Sequence, residues 1–548
     1  MSEALQHDPA TELAEDVATH PRSFAPSTFI LIALLSVFGA IIGVQLIVQL
    51  GVTPNTSIIG ALAAMILARV PLTLFACYRS VHVQNLAQSA ISAATFGAAN
   101  GLLLPIGIPY LLGRGDLVLP MLAGVALSML LDGYMLYRMF DTRVFPATGT
   151  WPPGIAAAEA IRAGDAGGRR ATLLGAGLLI GVAGSWFKIP MSAFGVAFIG
   201  NVWALTMFGI GLLVRGYALP VAGIDIAKLY VPHGFMVGAG LVALVQVGLL
   251  ILRRSAGGHA AADASADASA DAGRDHDAQM RRALGLGGLG FLAIAALIAL
   301  LGGLMASLSV PVLVAFVVYA ALAAFVHELI VGISAMHSGW FPAFAVALIT
   351  LIVGILLGFP PIALGLLVGF SASTGPAFAD MGYDLKAGFL LRGQGADRAF
   401  ELDGRRQQLY AAVIAFVIAI PTVWLVYPHY FAHDLVPPVD RVYVATIKAG
   451  ATAEVAKALL IWAIPGAVLQ LLGGPSRQLG IMIATGLLIP NPLAGWAVLV
   501  GIAIRVVWLK LKGAEAKGPM EVLAAGFIGG DALFGFFDSV IKTIPGGK

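Results

Sequence analysis

The chain has 548 residues, of which 59% are hydrophobic and only 11% charged, with a formal net charge of +3 and a mean hydropathy of +0.91. Globular domains carry about 25% charged residues, so this composition excludes an ordinary soluble domain and points to an integral membrane protein. No Lys/Arg-rich run interleaved with aromatics suggests a nucleic-acid partner, and the single cysteine, Cys77, allows neither an intrachain disulfide nor a cysteine-built metal cage.

The first 27 residues are polar and carry Asp8, Glu12, Glu15 and Asp16, without a basic region leading into an apolar core. They read as a disordered tail rather than a signal peptide. Apolar runs follow at 28–50, 56–77, 85–112, 117–138, 171–189, 193–214 and 229–252, then at 284–308, 311–336, 341–358, 360–379, 409–428, 454–473, 478–490, 492–510 and 520–541. Runs near 20 residues cross a core of about 30 Å as helices, and the alternating segments of a barrel are missing. The segment 478–490 is too short to span alone. The expected fold is all-α, a polytopic transmembrane helical bundle of about 14–16 membrane segments. Helical bundles are not built into bacterial outer membranes, so the expected location is a cell's inner (plasma) membrane.

Two halves are expected, 28–252 and 284–548, joined by 253–283, where Ala-Asp-Ala-Ser repetition offers nothing large to bury. That segment reads as a disordered cytoplasmic linker, in which the isolated His259 and His276 are solvated. The 67 glycines suit close helix packing, broken helices and a homodimer face. Arginine and lysine gather in the loop 138–170, beside the linker, over 386–408 and from 505 to 517, which places these stretches on the cytoplasmic side. Three apolar runs between the first cluster and the linker would leave the chain on the wrong side, so one should not cross. The stretch 215–234, with Pro220, Pro232, Asp225 and Lys228, is the predicted broken or re-entrant element. Interruptions at 51–54 (GVTP), 104–109, 358–361 (GFPP) and 489–492 (IPNP) read as tight turns or as further broken helices, and the GVTP and GFPP pairing suggests two pseudo-repeated halves.

Polar residues inside these runs mark the candidate sites. FADMGYDLKAGFLLRG, 378–393, follows a long apolar run, yet crowds Asp380, Tyr383, Asp384 and Lys386 into seven residues. An ionisable group near the bilayer core costs about 2.5 to 3.5 kcal/mol on insertion scales, so the cluster reads as functional. Asp380 and Asp384 share one helix face, while Asp384 and Lys386 are expected to form a charge-paired hinge or gate at the cytoplasmic end. In NLAQSAISAATFGAAN, 85–100, the residues Asn85, Gln88, Ser89, Ser92, Thr95 and Asn100 fall in a wedge of about 140°. That stripe faces a cavity or another helix, and Asn85, Gln88, Ser92 and Asn100, with Tyr383, are the candidate substrate-path residues.

Glu328, in AAFVHELIVGISAMHSG, is a candidate proton carrier or one member of a structural ion pair. Val331 stands where a zinc-protease HExxH would need its second histidine. Asp531, preceded by two glycines, is the second acid given a coupling role, whereas Asp132 and Asp538 lie nearer segment ends and read as interfacial. The GxGxxG match at 285–290 has no strand before it, and no Walker sequence occurs, so neither a cofactor nor an ATP motor is indicated.

Asp384-Leu-Lys386-Ala-Gly388 resembles the DLKTG signature of the oligopeptide transporter (OPT) superfamily, which includes the yellow-stripe-like metal-chelate transporters. GVTPNTSII at 51–59, Gln88-Ser-Ala-Ile-Ser-Ala93 (similar to QTIASA), Glu328-Leu329 with Gly332, and Gly530-Asp531 agree in order. Val83 and Gln84 stand where many relatives carry an acid, and His337-Ser-Gly-Trp-Phe is a reduced form of an NPVSGM-like stretch. The resemblance implies proton- or cation-driven import of small peptides, peptide-like compounds or metal chelates. From the residues alone, two other readings stay open: a passive channel, and an intramembrane enzyme in which the DxxxD of Asp380 and Asp384 would hold Mg²⁺ and a diphosphate.

Overall fold

The computed structural model describes residues 19–50, 61, 65, 78–166, 168–252, 267–339, 341, 343–450 and 452–543. The polar tail before residue 19, the stretch 51–59, Cys77, nearly all of the run 56–77 and the linker residues 253–266 lie outside the described residues. Among the described residues the chain is helical, with no β-strand, and ten helices are long and apolar enough to cross a membrane. Three shorter apolar helices, Val231–Ala243, Val346–Leu356 and Leu479–Leu488, add to them.

Helix α1 (Pro26–Leu50) packs on α2 (Val81–Phe96), which runs through a seven-residue π-helical turn, Gly97–Leu103, into α3 (Leu104–Leu111). Pro105 and Pro109 have no N–H for the carbonyls one turn earlier, and the wider turn absorbs the mismatch without breaking the chain. Residues 104–109 are therefore no tight turn between spans but the bend of one 31-residue element, Val81–Leu111. Helix α4 (Val118–Met139) leads to α5 (Pro152–Ala166) on the same end as the Arg-rich loop.

Next come α6 (Gly168–Trp186), α7 (Met191–Ile199), α8 (Val202–Ala222) and α9 (Val231–Leu252). Within the expected break at 215–234, residues 215–222 continue α8, whose end is set by Gly223 in a left-handed conformation (φ 68°), and the chain is non-helical from there to the start of α9 at Val231; another interruption lies at Gly200-Asn201. Asn201 is what starts the new helix there, its side chain accepting from Trp203 N at 3.0 Å and Ala204 N at 3.2 Å.

Helix α10 (Asp267–Leu301) begins within the segment read as linker, followed by α11 (Val310–Ser338) and a 14-residue α12 (Ala343–Leu356). Gly358 turns the chain at φ 82° into α13 (Pro361–Ser373) and α14 (Pro376–Leu391). The boundary between α13 and α14 is local chemistry: Thr374 is extended, Gly375 holds φ 97° and Pro376 offers no N–H. A Cβ on Gly375 would also sit 2.9 Å from Val331. The two pieces form a second 31-residue bent element, Pro361–Leu391, so the run expected to end at 379 carries its polar cluster inside the same span.

Helix α15 (Arg398–Ala432) and the amphipathic α16 (Pro438–Ala449) precede a second four-helix set, α17 (Ala453–Arg477), α18 (Leu479–Leu488), α19 (Pro492–Lys512) and α20 (Lys517–Thr543). As expected, the segment near 478–490 is too short to span. This set repeats α6 to α9. Each has a long helix, a short one, an asparagine cap (Asn201; Asn491, accepting from Ala494 N at 3.0 Å) and two long helices. The sets interlock reciprocally: α6 packs on α20 as α17 packs on α9, and α7 on α19 as α18 on α8. Small residues permit the approach, since a Cβ on Gly211 would lie 2.4 Å from Ile483 O, and one on Gly501 would lie 2.6 Å from Ala197 Cβ. At the centre the two bent elements cross antiparallel, α2 against α14 and α3 against α13.

Candidate functional site

The site is built where α2 meets α14. Asp380 and Asp384 fall on one face of α14, as their spacing predicts, and that face meets the polar stripe of α2. Gln88 Nε2 donates to Asp384 Oδ1, and Ser92 Oγ donates to Asp380 Oδ1. Asn85, Gln88, Ser92, Asp380 and Asp384 are all buried, so the cluster is shut off from solvent in this conformation. Asp380 Oδ2, Asp384 Oδ2, Gln88 Oε1 and both polar atoms of Asn85 have no hydrogen-bond partner.

Other members of the stripe are used differently. Thr95 Oγ1 donates to Ile91 O at 2.7 Å and to Gly39 O at 3.1 Å, while Ser89 Oγ accepts from Gln408 Nε2 at 3.0 Å. Asn100 sits apart, in the π-helical turn, with its Oδ1 unpartnered. Tyr383 is buried with a free hydroxyl, its ring edge-on to Trp151 at 6.0 Å between centroids. The same indole closes over Gly382, where a Cβ would meet it at 2.2 Å.

The expected Asp384–Lys386 pair is not formed. Lys386 Nζ donates to Ala147 O at 2.8 Å instead. Residues two apart on a helix point about 200° away from each other, so one face cannot hold both.

The break in the bent element supplies the next acid. Asp132 Oδ2 accepts from Gly375 N at 3.0 Å, and its Oδ1 is unpartnered. The sequence placed Asp132 near an interface, but α4 continues to Met139 and the side chain is fully buried. An exposed backbone N–H at a helix start needs an acceptor, and that need was legible at Gly375-Pro376, although its partner was not. Glu328 on α11 lies within electrostatic reach of Asp132, with both carboxyl oxygens buried and unpartnered. The structural ion pair considered for Glu328 is not present among the described residues. Its neighbour His327 is held by Ser371 Oγ at 3.1 Å, which donates to Thr350 Oγ1 at 3.2 Å.

Asp531 takes no part in this row, and both its oxygens are engaged elsewhere. Ser185 Oγ donates to its Oδ1 and Ser192 N to its Oδ2 at 2.9 Å, so the carboxyl joins the end of α6 to the start of α7. In the repeated set the start of α18 is held from α17 instead: Gln470 Oε1 accepts from Ile481 N at 3.1 Å, while Gln470 Nε2 donates to Gln246 Oε1 on α9 at 3.0 Å.

Sequence reasoning missed a buried ion network at the Arg-rich end. Glu401 receives Arg392 Nε at 2.8 Å and Arg405 Nε at 2.7 Å, and Arg392 Nη1 donates to Gln408 Oε1 at 2.8 Å. Arg405 and Arg398 also reach Asp141 at 3.0 and 2.8 Å. Burial works to raise the Asp141 carboxyl, and these guanidiniums overcome it, holding it below the usual carboxylate range. Gln408 Nε2 donates to Asp384 O at 2.6 Å, which ties the network to the site. The Glu401–Arg405 spacing of four was the available signal.

The row Asp384, Asp380, Asp132 and Glu328 thus places four carboxyls in the interior, none paired with Lys, Arg or His among the described residues. A buried carboxylate without a counter-charge is costly. Among the described residues no group of three or more His, Cys, Asp or Glu is placed to share one metal ion.

The family model described as OPT oligopeptide transporter protein matches residues 26–252 and 190–542. No curated protein matches the chain.

Proposed function

The chain belongs to the OPT oligopeptide transporter family, and from that membership we propose that it is a proton-coupled secondary transporter that imports small peptides, peptide-like compounds or metal chelates by alternating access. Membership carries the coarse statement: a multi-pass membrane protein that moves small molecules. The observation that supports proton coupling is the row of four interior carboxyls without cationic partners. Such groups bind protons from one side and release them to the other when access changes.

In this reading Asn85, Gln88, Ser92 and Tyr383 offer donors and acceptors to the substrate, with Asn100 further along the bent helix. Asp380 and Asp384 sense it through their contacts with Ser92 and Gln88. Glu328, beside Asp132, exchanges the coupling proton. Asp531 acts as a brace between α6 and α7 rather than as a carrier, because both its oxygens are engaged. Lys386 and the Arg392–Glu401–Arg405 network hold the cytoplasmic end closed.

The test is uptake into proteoliposomes of pooled di- to hexapeptides and metal chelates, with and without an inward proton gradient, read by mass spectrometry. Accumulation that collapses with the gradient is the expected result. Equal, non-accumulating flux at every pH would make the protein a passive channel.

A further inference from the structure

Asp440 is a further fully buried acid, at the end of the molecule opposite the arginine network. It follows the 35-residue α15, which begins at Arg398 beside that network and is about 50 Å long at 1.5 Å per residue. The side chain has no exposed surface, and neither Oδ1 nor Oδ2 has a hydrogen-bond partner. It lies on α16, whose buried face (Asp440, Tyr443, Val444, Ile447) is seated over both bent elements at α3 and α13 and against α12.

The seat is closely shaped. A Cβ on Gly107 of α3 would lie 2.1 Å from Asp440 Oδ2 and 2.9 Å from Val436, so only glycine leaves room for the carboxyl. Tyr443 Oη donates to Phe344 O at 2.8 Å and anchors the next turn of α16. No charged residue occurs in α3, α12 or α13, and their one titratable group is Tyr110, which donates to Phe431 O at 3.3 Å. On α16 itself Arg441 turns outward to Asp434 at 2.7 Å, and Lys448 stands at the far end.

We propose that Asp440 is a proton-binding site that latches the far-side closure: neutral, it lets α16 seat over the bends at α3 and α13, and ionised, it drives α16 off them. The proposal rests on the transport reading, to which it adds a proton-controlled gate on the side away from the arginine network. Burial raises the Asp440 carboxyl well above its ordinary range, against the opposing charge of Arg441. The closed seat therefore holds the proton more tightly than the open one does. Closure is complete below the ordinary carboxylate range, and above it loses about tenfold in its equilibrium per pH unit until the raised value is reached.

The test needs no substrate, so it stands or falls apart from transport. In a Cys77→Ala background, Val436→Cys is placed on the buried seat and labelled with a charged maleimide in lipid nanodiscs between pH 5 and 8.5. Rates are normalised to those of the unfolded protein at each pH. The expected result is protection at pH 5 and labelling that rises at least tenfold by pH 8.5. Adding Asp440→Asn should keep the thiol protected throughout, and adding Gly107→Ala, which pushes into the carboxyl, should expose it throughout. Protection of the Val436→Cys thiol at every pH, or the same pH dependence with Asp440→Asn, would overturn the proposal.

Discussion

Gln88 and Asp384, 296 residues apart in sequence, are joined by a hydrogen bond between two buried side chains, and this contact couples the two bent helices. Removing the donor leaves the acceptor buried and unsatisfied, which costs about 1–3 kcal/mol. Gln88→Ala should therefore lower the thermal stability of the purified protein by that amount and reduce uptake. In a double-mutant cycle with Asp384→Ala, the coupling should reach about 0.5 kcal/mol or more. Additive losses would mean that the contact does not carry the coupling.

Gly382 is set by the indole of Trp151, which a Cβ would meet at 2.2 Å. Overpacking at such a site costs about 1–3 kcal/mol, so Gly382→Ala should unfold at lower temperature than the parent protein. Trp151→Leu should recover part of the loss in the Gly382→Ala background, read by the same melting curve.

Glu401 holds two arginines, and both it and Arg392 are fully buried. Taking one partner from a buried ion pair costs about 3–5 kcal/mol. Glu401→Gln should be poorly expressed and strongly destabilised, whereas removing the exposed partner in Arg398→Ala should shift stability by less than about 1 kcal/mol. Comparable melting temperatures for the two variants would contradict the buried network.

The segment before α1 docks on this end: Ser23 N donates to Gln407 Oε1 at 2.9 Å, and His20 packs between His82 and Phe400. Burial, aided by Arg392, lowers His20 to about 4. The docked segment thus prefers the neutral imidazole. Docking is full above the ordinary histidine value of about 6.5 and weakens about tenfold per pH unit as pH falls from there toward 4. Hydrogen exchange at the Ser23 amide, corrected for intrinsic chemistry, should be faster at pH 5 than at pH 8, and His20→Phe should reduce the difference to the part contributed by His82, which burial and Arg392 also lower.

The helical class and the shared face of Asp380 and Asp384 were legible because they follow from hydropathy and a spacing of four; the prolines marked an interruption at 104–109, whereas the bend at Thr374-Gly375 went unread. The pairing of α2 with α14 was not, since period alone cannot say which helix a polar stripe meets. Asp132 was missed for the same reason: its role is created by the Gly375 N–H of a distant break. Pro220 sits in the last turns of α8, where the missing bond is tolerated, so the break expected over 215–234 falls at Gly223, and the interruption at Gly200-Asn201 went unread although Asn201 after Gly200 signals a helix start. The match between Asn201 and Asn491 shows that the internal repeat is written in caps and small residues more than in hydropathy.

The central claim is that interior carboxyls bind the coupling proton, and Glu328→Gln tests it most directly. In proteoliposomes the variant should lose gradient-driven accumulation of a transported compound, yet keep exchange of labelled for unlabelled compound across the membrane, because the site still changes access without moving a proton. Full accumulation by Glu328→Gln at every pH, with unchanged proton flux, would contradict the account.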